Sequence, residues 1–540
     1  MTNADESFSR VPQEIAPPAP TGSTWSPLRA PVFRMLWIAT VVSNIGSWMS
    51  DVGTSWMMLS LSPNPLWVAL VQAASSLPMF LFAMPSGVMA DIIDRRRYLL
   101  FSQLWMFIVA IGLSALALTG QVTPLVLLIS TFLLSTGAAM SSPPFQAIVP
   151  DLVSKKELAP AIALNSLGIN ISRAIGPALG GLILSFAGPW VVFLLNALSV
   201  LGVGIVLWRW KAEPSVQKLP PEHFFSAVRA GLRYVHAAPV LRNVLVRTVA
   251  FFLFASAGWA LLPLVARREL GLGPGEYGIM LASIGLGAIC GAMLLPRLRA
   301  TLNPDRLMVL ASLLFALTML ALAFVRHFWL LTALEFFTGT AWIAVLSTLN
   351  VGAQRSAARW VKARALAVYL TVFFGSMTLG SAVWGQLAAL FSIPLSLCLA
   401  AGGMVLASAT VLRWRLDKDP ELNLDSHVEA GAAELAVAHE RGPVMVAIEY
   451  QIDPQQAPAF IAAIQELRRV RRRGGAMTWS VYEDIQQPGT FVETFVVGSW
   501  IEHLRQHERN TENDYVIQSR VRAFQRGETT PIVRHLVAPE

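Results

Sequence analysis

The stretch Gly87-Val88-Met89-Ala90-Asp91-Ile92-Ile93-Asp94-Arg95-Arg96-Arg97 is a charged turn set between two long apolar runs. A helix needs about 20 mostly apolar residues to cross a bilayer, and the runs on both sides of this turn are that long. Working outward, the same window recurs along the chain. Runs begin near Phe33, Leu66, Tyr98, Thr123, Leu158 and Pro189, and again near Leu241, Glu276, Arg306, Phe328, Arg364 and Pro394. The first set occupies residues 33–210 and the second 241–416, nearly equal lengths. The expected fold is therefore an all-α membrane protein of twelve transmembrane helices in two six-helix halves, a plan common among secondary transporters. A soluble α+β domain is expected to follow.

Composition agrees. Of 540 residues, 54% are hydrophobic and 14% charged, with a mean hydropathy of +0.55, against about 25% charged in an ordinary globular domain. The net charge of +8 does not point to nucleic acid, because the basic excess lies in residues 1–416 while 417–540 are net acidic. Its placement alternates. Arg95, Arg96, Arg97, Lys155, Lys156, Arg209, Arg297, Arg299, Arg306, Arg355, Arg359, Lys362 and Arg364 fall in one set of connections, with further basic residues between Arg209 and Arg247. The alternate set holds only Arg267, Arg268 and Arg326. By the positive-inside rule both termini are expected in the cytoplasm. Residues 1–32 read as a flexible cytosolic leader, since 15–27 are Pro-rich and lack the basic and apolar segments of a signal peptide. Residues 211–240 read as a cytosolic linker in which Phe224, Phe225, Val228, Leu232 and Val235 share the apolar face of a surface helix. Cys290 and Cys398 lie in apolar runs, with neither metal-ligand nor disulfide spacing. No phosphate-binding G-x-x-x-x-G-K-[ST] loop is present, which excludes an ATP-driven pump of that kind.

The opening turn, with Gly87, Asp91 four residues on and the basic Arg95 and Arg96, resembles the signature of the major facilitator superfamily between its second and third helices. Asp94 stands where the broad pattern has Gly, an acidic variant found in the drug- and siderophore-exporter branch. In the fifth span Gly176-Pro177-Ala178-Leu179-Gly180-Gly181 resembles the end of the antiporter motif, with Ser172 in place of a fuller motif's Gly. The fourth-span exit, Ser142-Pro143-Pro144-Phe145-Gln146-Ala147-Ile148-Val149-Pro150-Asp151-Leu152-Val153, together with Asn165 and 173–177, is similar to the enterobactin-exporter-like branch, the transmembrane secretion effectors. That resemblance implies proton-driven efflux of a siderophore, drug or other small metabolite across a bacterial inner membrane, with no cofactor and no metal. In the matching connection of the second half, residues 291–299, Leu295 occupies the place of Asp91.

Three ionisable residues fall well inside the spans: Asp51, Arg173 and Glu335. Each costs about 2.5–3.5 kcal/mol at a helix centre on insertion scales, and such groups face a cavity or a partner. Asn44, Ser47, Asp51 and Ser55 form one polar stripe; Ser166, Asn170, Arg173 and Pro177 a second; Glu335, Thr338, Gly339 and Trp342 a third. All three stripes are expected to face the central cavity. There Asp51 or Glu335 would exchange a proton and Arg173 would bind an anionic substrate or tune a neighbouring acid; the alternative is a set of interhelical ion pairs. Trp48, Trp56, Trp259, Trp342 and Trp384 lie deep enough to stack on an aromatic substrate or to pack helices.

Residues 417–443 read as a linker and 444–540 as a soluble domain. Alternation in Val444, Val446, Ile448, Tyr450 and Ile452 gives a strand, and Phe460, Ile464 and Leu467 a helix. Strands over 477–482 and 491–497, two helices and a strand over 532–537 complete a βαββααβ order, which suggests a ferredoxin-like fold. It resembles the dimeric α+β barrel family that includes small antibiotic-biosynthesis monooxygenases, and so implies dimerisation. Trp500, His503, His507 and Arg509 mark its most distinctive segment; His503 and His507 share a helix face and His535 is the one further His that can approach them. The Arg468–Arg473 region would touch anionic lipid or stay solvated. A regulatory, dimerising or substrate-presenting module fits this domain better than a membrane-tethered enzyme. Import or facilitated diffusion remains the alternative to export for the membrane part.

Overall fold

A computed structural model describes residues 25–154, 156–210, 238–357, 362–416, 441–508, 511–527 and 530–539. Residues 211–237 of the expected linker, with its surface-helix face, most of the 417–443 linker, Arg509 and the side chains of Asp91 and His507 lie outside the described set.

Twelve long helices form the first part: α1 (Pro31–Leu61), α2 (Pro65–Ile92), α3 (Arg95–Leu118), α4 (Pro124–Leu152), α5 (Leu158–Ala187), α6 (Pro189–Arg209), α7 (Pro239–Leu264), α8 (Pro274–Thr301), α9 (Pro304–Phe324), α10 (Phe328–Arg355), α11 (Lys362–Leu390) and α12 (Ile393–Ser408). Each begins within a turn of the position that the apolar windows give. The starts are sharp because local chemistry makes them so. Pro31, Pro65, Pro124, Pro189, Pro239, Pro274 and Pro304 open their helices, where a missing N–H costs nothing. Asn64, Thr123, Asn303 and Ser392 cap the first turns through their side chains.

Eleven of these helices are long and apolar enough to cross a membrane, and α1 is not among them. The expected count of twelve is thus reached by length but not by apolarity, because Asn44, Ser47, Asp51 and Ser55 dilute α1. The packing is repeated with an offset of six helices. In the first half α1 packs on α5 and α6, α2 on α4, and α3 on α4 and α6; in the second α7 packs on α11 and α12, α8 on α10, and α9 on α10 and α12. The halves meet along α2–α11 and α5–α8, contacts that this offset also exchanges.

The last part of the chain forms β1 (Val444–Gln451), α13 (Ala457–Gly474), β2 (Thr478–Glu483), β3 (Thr490–Val497), α14 (Trp500–Glu508), α15 (Glu512–Arg522) and β4 (Ile532–Val537). The strands make one antiparallel sheet in the order β2-β3-β1-β4, and the element order is the βαββααβ of the sequence reading. Side chains alternate across β1: Val444, Val446, Ile448 and Tyr450 enter a core with Phe460, Ile464 and Leu467 of α13. Trp500 is part of that core.

Candidate functional site

The opening turn is a staple at one end of the first half. Asp94 caps α3, its Oδ1 accepting the Arg97 N–H at 2.8 Å. Arg95 donates to the Ala147 carbonyl at 3.2 Å and lies 3.7 Å from Asp151 at the end of α4. Arg96 donates through Nε to the Leu207 carbonyl at 2.8 Å and also to that of Trp208, at the C-terminal end of α6, where the helix dipole favours a cation. These arginines therefore clamp helix ends together, beyond merely marking an interface. A Cβ on Gly87 would meet nothing within 4 Å. Close helix approach at this glycine is not made in this conformation, because α2 and α11 touch elsewhere, at Gly375–Phe80 and Gly385–Ala69.

The Gly-Pro run of α5 is a seam with two sides. A Cβ on Gly180 would lie 2.8 Å from the Met49 Cα, and one on Gly176 would strike Trp48, both in α1. Gly181 turns to α8, where Pro274, Gly275 and Gly278 leave it no room for a side chain. Gly278 in turn packs on the Pro177 carbonyl, and Gly285 on the Arg173 and Ala174 backbone. Small residues thus let backbones touch across both interfaces. Ser172, where the fuller motif has Gly, donates to the Val41 carbonyl of α1 at 3.1 Å.

These contacts bridge the halves at one end. Arg268, in the turn after α7, donates to the Pro63 carbonyl between α1 and α2. Trp56 stacks on Tyr277 with ring centroids 5.8 Å apart, and the Arg267 guanidinium lies 5.6 Å from the Trp56 ring. Within the second half, Arg326 pairs with Glu269 at 2.9 Å, beside the turn that carries Arg267 and Arg268. Beyond the level of Arg173–Gly285 and Phe80–Gly375, no side-chain hydrogen bond or ion pair joins the halves among the described residues.

Below that bridge lie the polar stripes of α1 and α5. Ser47 and Asp51 are solvent-accessible and Asn44 is partly so. Tyr277 of α8 stands beside Asp51 and Ser55. Arg173 is partly buried, its guanidinium 5.7 Å from the centre of the Trp48 ring. Asn170, one turn away, donates to the Ser166 carbonyl at 2.9 Å. Asp51 and Arg173 are not ion-paired with each other, and neither pairs with any other described residue.

Glu335 does not share this space. It is 3% exposed and faces a small cleft inside the second half, beside Thr338 and among Trp259, Ile284, Phe315 and Met319. Trp342 from the same stripe sits in an aromatic cluster with Phe252 at 5.2 Å, Trp259 at 5.3 Å and Phe315 at 6.3 Å. The expectation that the third stripe faces the central cavity is thus corrected: apolar rings of α7, α9 and α11 surround it. Trp384 likewise packs helices, donating to the Leu253 carbonyl at 2.8 Å.

In the terminal sheet region, His503 and His535 approach to 4.7 Å between ring centres, with Trp500 5.3 and 5.7 Å from them. No group of three or more His, Cys, Asp or Glu side chains positioned for a metal occurs among the described residues. Sequence reading missed Glu493. It is fully buried on β3 and accepts from Arg471 Nε at 3.0 Å and Nη2 at 3.3 Å, Trp479 Nε1 at 2.9 Å and the Tyr450 hydroxyl at 3.1 Å. Its signal was an acidic residue at an inward register of an otherwise apolar strand. Arg471 and Arg473, from the basic cluster, are ion-paired to Glu493 and Asp514, so those two are neither solvated nor lipid-facing.

Two six-part halves with one packing scheme, bridged at one end and polar between them, define a polytopic membrane transporter of the major facilitator fold. The inward-facing, occupied crystal structure of a bacterial homolog of the human lysosomal transporter Spinster has this fold, with a TM-score of 0.58 at 16% identity over 73% of this chain and 97% of that one. The chain belongs to the transmembrane secretion effector family, whose profile matches residues 22–540 and so takes in the terminal sheet. The staphyloferrin A transporter of Staphylococcus aureus (strain NCTC 8325 / PS 47) is 25% identical over 285 residues, 52% of this chain and 70% of the relative. The enterobactin exporter EntS of Shigella boydii serotype 18 is 27% identical over 285 residues, 52% and 67% respectively. The family and these relatives are transporters, not enzymes.

Proposed function

We propose that this protein is a proton-coupled exporter of a siderophore, drug or related small metabolite, working by alternating access. The observation that carries the reading is the pair Asp51 and Arg173: two charges on the polar stripes of α1 and α5 with no counter-ion among the described residues. Unpaired charge at membrane depth is costly and marks ion or substrate pathways. Asp51 takes up and releases the proton, and Arg173 with Asn44 and Asn170 binds the acceptor groups of the substrate. The names of the two relatives favour an iron-chelating metabolite as substrate.

Helix α1 serves as the twelfth span; it holds in the first half the place that α7 holds in the second, and its stripe faces the pathway rather than lipid. The alternation of basic connections favours a bacterial inner membrane with both termini in the cytoplasm. In that orientation the bridged end is external and the open end cytoplasmic. The α5 seam, Gly176, Pro177, Gly180 and Gly181, closes the outer end. Gly87, Asp91, Arg95 and Arg96 form the inner latch, Gly87 being kept small for an approach made only when the halves rock the other way. The soluble part is a ferredoxin-like module of the dimeric α+β barrel kind, and the exposed Met445, Ile532 and Leu536 on the open sheet face support dimerisation there.

Transport of ferric-free siderophore into inverted membrane vesicles tests the reading. Accumulation against a gradient, lost when a protonophore collapses the proton gradient, is the expected result. Equilibration that ignores the protonophore contradicts it.

A further inference from the structure

The soluble part contains a cavity of about 260 Å³ that the transport mechanism does not use. Its floor is β1 and β4 and its roof is α13 and α15. Ile448 and Leu467 provide apolar walls. Val533, on the same face of β4 as Ile448 on β1, is 50% exposed because the space above it is unfilled.

The polar lining is one-sided. Arg471 and Arg522 reach it from α13 and α15, and no carboxylate lines it among the described residues. Glu493, directly behind, is consumed by Arg471, Trp479 and Tyr450. Gln518 supplies an independent sign of a ligand. It is 4% exposed, lines the cavity, and its Nε2 has no hydrogen-bond partner among the described residues. A buried amide donor without an acceptor is costly to keep, and such groups call for a missing partner. The volume lies near the lower end of the range of small-molecule pockets, about 300–1,000 Å³, which fits one compact metabolite.

We infer that this cavity binds a small organic acid: its carboxylate accepts from Gln518 Nε2 beneath Arg522, and its apolar body lies on Ile448 and Leu467. The site lies apart from the space between the halves and does not depend on the direction or coupling of transport. The domain thereby gives the transporter a means of sensing a small carboxylic acid.

Benzoate and its neutral twin benzamide are suitable probes, read by saturation-transfer NMR on the full chain in lipid nanodiscs. Benzoate saturates and benzamide binds more weakly. Gln518→Glu sets like charge against the carboxylate and weakens benzoate about tenfold or more, the scale of a lost hydrogen bond to a charged group. Arg522→Gln, at the exposed mouth, weakens it severalfold. Arg520→Gln, an exposed pair of Glu466 outside the cavity, changes nothing. The inference is overturned if wild type gives no saturation at millimolar benzoate, or if Arg522→Gln binds as wild type does, which would place the probe elsewhere in the chain.

Discussion

Glu493 in the terminal sheet and Asp51 in α1 are both carboxylates crowded by protein, and they are held in opposite ways. Glu493 has four donor contacts from three residues, one of them a guanidinium. Asp51 is solvent-accessible, has no counter-ion among the described residues, and has Tyr277 of the other half beside it. The same contrast separates Asp514, paired to Arg473, from Arg173, which rests on the Trp48 ring. A charge whose only task is to hold a fold is surrounded and neutralised, since breaking such a pair is severely destabilising. A charge left unneutralised at membrane depth is available to something that comes and goes. Glu335 stands between these cases, buried like Glu493 and without an ion pair like Asp51, with Thr338 and Trp259 lining its cleft.

That contrast predicts a graded set of effects. The largest is on the domain itself. Glu493→Ala leaves Arg471 without its counter-ion and Tyr450 and Trp479 without their acceptor, and destabilises the domain by about 3–5 kcal/mol; urea-dependent proteolysis of the 441–539 region in the full chain reads this directly. Glu493→Gln, which keeps acceptor oxygen, costs less. Next, Gly181→Val forces α5 from the α8 backbone at Pro274 and Gly278, so the bridged end opens and cysteines placed at that end gain reactivity to an impermeant thiol reagent. Unchanged labelling would remove the seam from the account. Third, Arg173→Ala loses a cation–ring contact worth about 0.5–2 kcal/mol, a small change in melting temperature, yet transport falls far more than stability does. A parallel loss of both would make Arg173 a packing residue. The smallest effect concerns His535. Burial against Trp500 and His503 disfavours its charged form and holds its pKa below the usual value. The folded state then binds fewer protons than the unfolded one, so this contribution is present above about pH 6.5 and fades as pH falls below it. Proteolytic protection of the domain should decline slightly from pH 7 to pH 5, and His535→Gln should flatten that decline.

The fold was largely legible because its determinants are local and periodic. Apolar runs of spanning length, prolines at helix starts and Asn, Ser or Thr caps sit in consecutive residues, and strand alternation in 444–452 needs only a period of two. The site was legible in part. The stripes of α1 and α5 follow from helical spacing, and the α5 glycines from their pattern. What spacing cannot say is what a helix face meets. Nothing in Glu335, Thr338 and Trp342 tells whether α10 turns them to the pathway or to the rings of α7 and α9; that depends on contacts far apart in sequence. Gly87 shows a second limit: its place in the motif has no packing counterpart in this structure, where a Cβ would meet nothing within 4 Å. Glu493 was passed over because its partners are scattered over β1, α13 and β2, and only the folded sheet gathers them.

The most direct test of the central claim is substrate-triggered proton movement in proteoliposomes carrying a trapped pH dye, comparing wild type with Asp51→Asn and Glu335→Gln. The account predicts proton flux opposite to substrate flux in wild type, abolished by Asp51→Asn. In Glu335→Gln, whose side chain lies outside the pathway, the flux persists at reduced rate. Proton flux that survives Asp51→Asn and vanishes in Glu335→Gln would contradict it, and would move the proton site from the open stripe of α1 into the sealed cleft of the second half.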